Sequence, residues 1–247
     1  MLLHNCTWAE VEGYVARSTG ILMPIGSTEQ HGPNGLIGTD AICAEAIVGH
    51  AGDELDALVA PTIAVGMTQH HMAFAGSMTL RPSTILRVIQ DSLTSLARHG
   101  FTHFYFVNAH GGNVASLTAA FDEVYAGKSL HEGNGAPLRC RTVNWWMGDR
   151  TRKLRDELYG AKEGAHATPS EVALTQYLRP ETIKRVAIDG TAPHATAFTD
   201  ADDYRAKFPD GRMGSDPSLA TPEDGRRLLD ACVADVVEDY RKFVGNG

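Results

Sequence analysis

Three short apolar runs constrain the fold of this chain more than any other feature of its sequence. They are GILMPIG (20–26), ALVAPTIAV (57–65) and THFYFVN (102–108). Each run has almost no polar alternation, which is typical of strands in a parallel sheet that helices cover on both faces. A fourth run, LRCRTVNWW (138–146), predicts a further strand. The sequence therefore predicts a buried, mostly parallel sheet.

Amphipathic stretches with helical periodicity separate these runs. The predicted helices cover residues 40–50, 82–98, 113–126, 169–178 and 222–243. Proline follows Arg81 and Thr168 at the first helical position, and Thr168 forms a capping-box pattern with Glu171. The order of these elements predicts one α/β domain over residues 1–247. Residues 189–220 show little periodicity, and we expect a long functional loop there.

The composition excludes several classes of function. The chain of 247 residues has a net charge of −8 and no basic cluster, which argues against a nucleic-acid partner. No apolar stretch approaches the roughly 20 residues of a membrane-spanning helix, and the polar first residues lack a secretion signal. We therefore expect a cytoplasmic protein with no membrane partner. The four cysteines lie far apart, so we expect buried thiols and no disulfide framework.

Carboxylates and imidazoles follow the predicted strands at their carboxyl ends, where parallel sheets bind ligands. The candidates are Glu29, His31, Asp40, His110 and Glu171. Together they form a nitrogen and oxygen ligand set that suits zinc, manganese or iron(II). Such a set exceeds the three protein ligands that one catalytic zinc ion usually takes. It fits two ions if one carboxylate bridges them.

Each candidate also has a simpler explanation. Asp40 can be a helix N-cap, Glu171 the return partner of the capping box, and His110 a turn residue before two glycines. Glu29 and His31 can be a solvated pair on a glycine-rich loop. The position of all these residues at one predicted rim of the sheet favours the metal site over the separate explanations.

Five longer segments carry a recognisable pattern, in order along almost the whole chain. They are MPIGSTEQHGPNGLIGTD (23–40), HHMAFAGSMTL (70–80), NAHGGN (108–113), HATPSEVAL (166–174) and GSDPSLATPEDG (214–225). On these segments the chain resembles the creatininase (creatinine amidohydrolase) family, in the branch with an HGGN motif. The first and third segments are the specific ones, and the others support them.

The resemblance implies a three-layer α/β/α fold of the Rossmann type and a homohexamer. It also implies two divalent ions per subunit, with zinc as the first expectation and manganese or iron as alternatives. One ion would be bound by Glu29, Asp40 and His110. The other would be bound by His31, Asp40 and Glu171, so that Asp40 bridges the two.

The resemblance assigns one catalytic residue, and the chain departs from the family pattern at several positions, among them Thr168-Pro169 in place of Gly-Glu, and Ala75 and Ser77 in place of Pro and Thr. His166 matches a histidine that moves protons during C–N cleavage in the family. Gly112 stands where creatinine-cleaving members carry a metal-binding glutamate, which points away from creatinine itself as the substrate. Asn34, Gly35 and Leu36 replace the usual His-Leu-Pro, so we expect a differently shaped pocket.

We therefore predict a metal-dependent amidohydrolase that cleaves a small cyclic amide or a formamide through a metal-bridging hydroxide. A family peptidase that acts on a modified peptide is the second hypothesis. A non-catalytic metal- or nucleotide-binding module is the third, although the HGGN glycines lack the spacing of nucleotide motifs. Trp145 and Trp146 are candidates for the pocket wall, although for at least one of these adjacent aromatics we favour the simpler expectation that one faces the core and the other the surface. His70 and His71 are candidates for substrate contact or closure of the site.

Overall fold

Four parallel strands form the central sheet. In the computed structural model, which describes residues 1–130 and 137–245, they are β1 (Gly20–Ile25), β2 (Leu58–Val59), β3 (His103–Asn108) and β4 (Arg139–Asn144). Their order in the sheet is β2-β1-β3-β4, and each neighbouring pair is parallel. The register pairs Ile25 with Asn108, and Asn108 with Asn144. These three strands therefore end at one common rim.

Helices cover both faces of this sheet. They are α1 (Trp8–Val15), α2 (Thr39–Leu55), α3 (Pro82–Arg98), α4 (Val114–Leu130), α5 (Asp149–Leu158), α6 (Pro169–Leu178), α7 (Ala201–Lys207) and α8 (Pro222–Gly245). Successive strand residues face opposite sides. Leu22 and Tyr105 join one core with α2, α6 and α8, whereas Ile21 and Phe104 join another with α1, α3 and α4. The three-layer α/β/α architecture with a parallel sheet is therefore confirmed.

The second predicted strand is much shorter than expected. Within residues 57–65, only Leu58–Val59 forms a ladder, and Ile63 makes one isolated bridge to Ile25. Pro61 lies between these two contacts. Because proline has no N–H to donate, it interrupts a ladder at that position.

The predicted helices correspond to α2, α3, α4, α6 and α8, with α2 and α4 extending further than expected. The helices α1, α5 and α7 were not predicted from the sequence. Helix α5 is mostly charged, and its apolar face is limited to Thr151, which is buried, and to Leu154 and Leu158, which pack on the core from partly buried positions. Helix α7 is short and begins after the N-cap Asp200. It lies inside the 189–220 segment, which was expected to be a loop throughout.

The cysteines agree only in part with the prediction of buried thiols, because Cys6 and Cys140 are only partly buried. All four are free thiols, and Cys43 and Cys232 are buried. No helix in residues 1–130 and 137–245 is long and apolar enough to cross a membrane.

Candidate metal centre

The loop after β1 brings two carboxylates and an imidazole together. Glu29 donates its backbone N–H to the carbonyl of Ile37 at 2.8 Å, which folds the glycine-rich loop back on itself. Helix α2 has Gly38 as its N-cap, so Asp40 lies in the first turn and does not cap the helix. Glu29, His31 and Asp40 are at most 2% exposed. The N-cap and solvated-pair explanations are therefore wrong.

Side chains from two strand ends converge on one buried cluster. His31 Nε2 lies 2.9 Å from Asp40 Oδ1. His110, which follows β3, places its Nδ1 3.2 Å from Glu29 Oε2 and 3.3 Å from Asp40 Oδ2. Ligand atoms of Glu29, His31 and Asp40 all lie within 4.8 Å of one another. The structure thus brings together all the predicted ligands except Glu171.

Both histidines of this cluster are oriented by backbone carbonyls. His31 Nδ1 donates to the carbonyl of Glu29 at 3.2 Å, and His110 Nε2 donates to the carbonyl of Met67 at 3.0 Å. In a neutral imidazole, the other ring nitrogen then carries a lone pair. These lone pairs face carboxylate oxygens, which repel them unless a cation or a proton lies between.

Several atoms of the cluster have no hydrogen-bond partner among the described residues. They are both carboxylate oxygens of Glu29, His31 Nε2 and Asp40 Oδ2. Although His31 Nε2 lies only 2.9 Å from Asp40 Oδ1, this nitrogen is one of the atoms without a hydrogen-bond partner. Unpaired buried polar atoms are rare and costly. A divalent cation satisfies all of them at once, so these residues fit a metal ion.

Protons are the alternative occupants of the cluster. Burial is the largest single effect on His31 and lowers its pKa, but Asp40, Glu171 and Glu29 together outweigh burial and raise this pKa to about 10. Burial also lowers the pKa of His110. The charges and hydrogen bonds of Glu29 and Asp40 outweigh burial and raise this pKa well above its usual value. Burial favours a high pKa for Glu29, yet the charge of His110 holds that pKa well below its ordinary range. A cation that binds here therefore displaces protons.

Glu171 lies in the first turn of α6 and forms the predicted capping box. Its Oε2 accepts hydrogen bonds from the backbone N–H of Thr168 at 2.9 Å and from the Thr168 hydroxyl at 2.8 Å. Glu171 also lines the cavity that Glu29 and Asp40 line, and its charge contributes to the raised pKa of His31. The structure therefore places Glu171 beside the cluster with one oxygen committed to the cap.

A second group of histidines adjoins the first cluster. His71 Nε2 lies 3.4 Å and His166 Nδ1 3.7 Å from Glu29 Oε1. The side-chain amide of Gln30 bonds His71 Nδ1 at 2.9 Å and the carbonyl of Gly211 at 3.1 Å. The backbone carbonyl of Gln30 accepts the Nε2–H of His166 at 2.8 Å. Sequence reasoning missed Gln30, whose partner Gly211 lies 181 positions away.

The protonation of this second group differs from that of the first. Burial, and then the nearby His166, lower the pKa of His71. Burial, and then the charge of His31, lower the pKa of His166. Both rings are therefore neutral at neutral pH. Because His166 Nε2 holds its proton toward Gln30, the lone pair of His166 lies on Nδ1, which faces Glu29.

A cavity of about 730 Å³ is lined by both groups of residues. Its other walls include Trp145, Trp146, Arg155, Phe198, Tyr204 and Met213. Trp145 is buried and Trp146 is half-buried, and both reach the cavity as the sequence analysis suggested. Phe198 from the 189–220 segment packs on His70, with ring centroids 4.9 Å apart. This segment therefore closes one side of the site.

Comparisons with known proteins agree with the fold and the site. The family model described as "Creatininase: Creatinine amidohydrolase" matches residues 4–240. The mycofactocin precursor peptide peptidase of Mycobacterium ulcerans (strain Agy99) is 30% identical over 237 residues, which cover 90% of this chain and 85% of the relative. The creatinine amidohydrolase of Pseudomonas putida is 25% identical over 252 residues, which cover 96% of this chain and 94% of the relative.

Solved structures share the fold. The structure "Creatininase Mn" superposes with a TM-score of 0.87 at 23% identity and covers 98% of both chains. A mutant creatininase described as "Zn-Zn type" superposes with a TM-score of 0.86 at 22% identity and also covers 98% of both chains. The family match over nearly the whole chain shows that this protein belongs to the creatininase family of metal-binding hydrolases.

Proposed function

We propose that this protein hydrolyses an amide C–N bond with the help of two divalent metal ions. Glu29, Asp40 and His110 are the proposed ligands of one ion. His31, Asp40 and Glu171 are the proposed ligands of the other. The observation that supports this assignment best is that two carbonyl-anchored imidazoles face carboxylate oxygens in a buried cluster, where both oxygens of Glu29, one of Asp40 and His31 Nε2 have no hydrogen-bond partner among the described residues. Zinc is the first candidate for the metal, and manganese and iron(II) suit the same ligands.

Gly112 supports the choice of Glu171 as the fifth ligand. A Cβ atom at position 112 would clash with the carbonyl oxygen of Met67 and with His110 Nε2. A larger side chain therefore does not fit at this position without movement of the backbone. Glu171 provides a carboxylate from α6 on the wall of the same cavity.

Bound ions of this kind generate a nucleophile from water at neutral pH and polarise the carbonyl of an amide. The proposed task of His166 is to take up a proton at Nδ1 and to deliver it to the leaving nitrogen. The bond from His166 Nε2 to the carbonyl of Gln30 fixes the ring for this task. The lowered pKa of His166, which burial causes first, keeps Nδ1 free to accept a proton at neutral pH.

The proposed substrate is a small cyclic amide or a formamide. The similarity to the creatinine amidohydrolase of Pseudomonas putida over most of both chains supports this class. Aromatic side chains on the cavity wall suit a small planar molecule. We further expect a cytoplasmic homohexamer, as the resemblance to the family implies.

A modified peptide is the second candidate substrate. Two observations favour it. The relative that is 30% identical over 237 residues is named as a peptidase of a precursor peptide. The cavity of about 730 Å³ is large enough for a molecule of drug size.

Metal analysis combined with a substrate screen tests the proposal. The purified chain is stripped of metal, reloaded with zinc, manganese or iron(II), and assayed on lactams, formamides and short peptides. We expect two equivalents of metal per chain, and turnover that chelation abolishes and metal restores. Glu29→Gln should lose metal and turnover, whereas Glu12→Gln, at an exposed position of α1, should keep both. A metal-free protein that binds nucleotide would instead favour a non-catalytic module.

A further inference from the structure

Arg155 has the features of a ligand-binding residue, but the proposed reaction does not use it. It lies on α5 and lines the cavity near Trp146 and Glu171. Its side chain is only 15% exposed. Among the described residues that line the cavity, it is the one lysine or arginine. A cation in this position attracts an anionic part of whatever molecule enters.

Neighbouring residues hold the guanidinium of Arg155 in place. Its Nε donates to Glu163 Oε1 at 2.8 Å, and its Nη1 donates to the carbonyl of Trp146 at 2.8 Å. Glu163 Oε1 also accepts a hydrogen bond from the hydroxyl of Ser170, the residue before Glu171. The position of Arg155 is thus fixed relative to the proposed metal ligand on α6. A group that is fixed before binding loses little entropy when a ligand arrives.

The guanidinium of Arg155 has N–H donors that these contacts do not use. It carries five N–H bonds, and the contacts to Glu163 and Trp146 use two of them. Nη2 has no hydrogen-bond partner among the described residues. It is also not one of their fully buried polar atoms that lack a partner. Nη2 therefore keeps some solvent exposure, and Arg155 lines the cavity. Paired N–H groups of a guanidinium match the two oxygens of a carboxylate.

We propose that Arg155 binds a carboxylate of the substrate, so that the protein acts on amides or peptides that carry a free carboxylate near the scissile C–N bond. This inference rests on the proposed function, because the metal cluster must bind the amide in the same cavity. A carboxylate fits better than a phosphate, since Glu163 already offsets part of the single positive charge. The half-buried Trp146 beside Arg155 provides apolar surface for the body of the substrate.

Matched pairs of hydroxamates test the inference without any need for turnover. One member of each pair is an alkyl hydroxamate that ends in a carboxylate, and the other ends in a carboxamide. The hydroxamate group binds the metal ions in both, and a series of increasing alkyl length spans the unknown distance to Arg155. Binding to the zinc-loaded protein is measured by calorimetry. At one length, we expect the carboxylate to bind about tenfold tighter or more than its carboxamide.

Substitutions on α5 test whether Arg155 causes the preference for the carboxylate probe over the carboxamide probe. Arg155→Gln should abolish the preference and leave the affinity for the carboxamide probe and the metal content unchanged. Arg155→Lys keeps the charge without the planar pair of donors, so part of the preference should remain. Arg152→Gln is the matched control, because Arg152 lies on α5 with a side chain that is 60% exposed. If Arg155→Gln fails to fold, an unreduced preference in Arg155→Lys contradicts the inference.

The outcomes separate this inference from the proposed function. If carboxamide probes bind but the carboxylate adds nothing at any length, Arg155 is not a carboxylate site and the metal centre stands. If neither probe binds to the metal-loaded protein, the proposed metal function is wrong and the inference falls with it. A preference that survives in Arg155→Gln places the carboxylate elsewhere and also overturns the inference.

Discussion

His31 Nε2 lies 2.9 Å from Asp40 Oδ1, yet this buried nitrogen has no hydrogen-bond partner among the described residues. The other ring nitrogen of His31 donates to the carbonyl of Glu29, so a neutral ring turns its lone pair toward Asp40. Two electron-rich atoms at this separation fit a shared cation. Asp40 also approaches His110, at 3.3 Å through its second oxygen. Asp40 is therefore the carboxylate that both halves of the cluster share.

Adjacent glycines in the HGGN motif should respond differently to substitution. A Cβ atom at Gly112 would meet the Met67 carbonyl and the His110 ring, whereas a Cβ atom at Gly111 meets nothing within 4 Å. Gly112→Ala should therefore displace His110 and reduce metal content, and Gly111→Ala should leave metal content unchanged. Metal analysis of the two variants checks this, and equal metal content in both would contradict the close packing at His110.

The capping box of α6 should affect the metal site as well as stability. Thr168→Ala removes the group that holds Glu171 Oε2 and should lower the free energy of unfolding by about 1 kcal/mol. Thr7→Ala removes the equivalent cap of α1, which pairs with Glu10, at a similar cost in stability. Only Thr168→Ala should also weaken metal binding. Chemical denaturation and metal titration of both variants measure the two effects, and unaltered metal affinity in Thr168→Ala would argue against Glu171 as a ligand.

His166→Asn should separate proton transfer from metal binding. Asparagine cannot accept a proton as the imidazole Nδ1 does, so we expect kcat to fall by about 100-fold or more. Metal content should be unchanged, because His166 is not among the proposed ligands. Steady-state kinetics on the substrate found in the screen, together with metal analysis, test this. A variant that turns over as fast as the wild type would remove the proton-transfer role.

Metal affinity should rise with pH. In the ion-free protein burial lowers the pKa of His31, but Asp40, Glu171 and Glu29 together raise it to about 10, so His31 holds a proton at neutral pH. An arriving ion displaces this proton, so affinity should increase as the pH rises toward that pKa and decrease as the pH falls. Calorimetry in buffers of different ionisation enthalpy should show proton release. Affinity that does not change between about pH 6 and 8 would contradict the protonated state of the empty cluster.

Much of the scaffold follows from the sequence because its signals are local. Unbroken apolar runs predict buried parallel strands, and parallel strands end at the same rim. That rule places Glu29, Asp40 and His110 near one another before any coordinates are known. The capping box at Thr168 and Glu171 is likewise a short-range pattern, and the structure contains it.

The rest of the site depends on contacts between distant segments. Gln30 reaches Gly211 only because the 189–220 segment folds back over the cavity. Arg155 lies on a mostly charged helix with several arginines, so nothing in that sequence marks this one as a cavity residue. Pro61 shortened a strand that apolar character alone predicted to be longer. Packing of this kind has no periodic signature in the sequence.

The metal content of Asp40→Ala tests the central claim most directly. Elemental analysis should find two equivalents in the wild type and in Asp53→Ala, an exposed position on the same helix. It should find almost none in Asp40→Ala, because one side chain serves both proposed ions. If Asp40→Ala kept its full complement of metal while folded, the shared carboxylate and the paired-ion site built around it would be wrong.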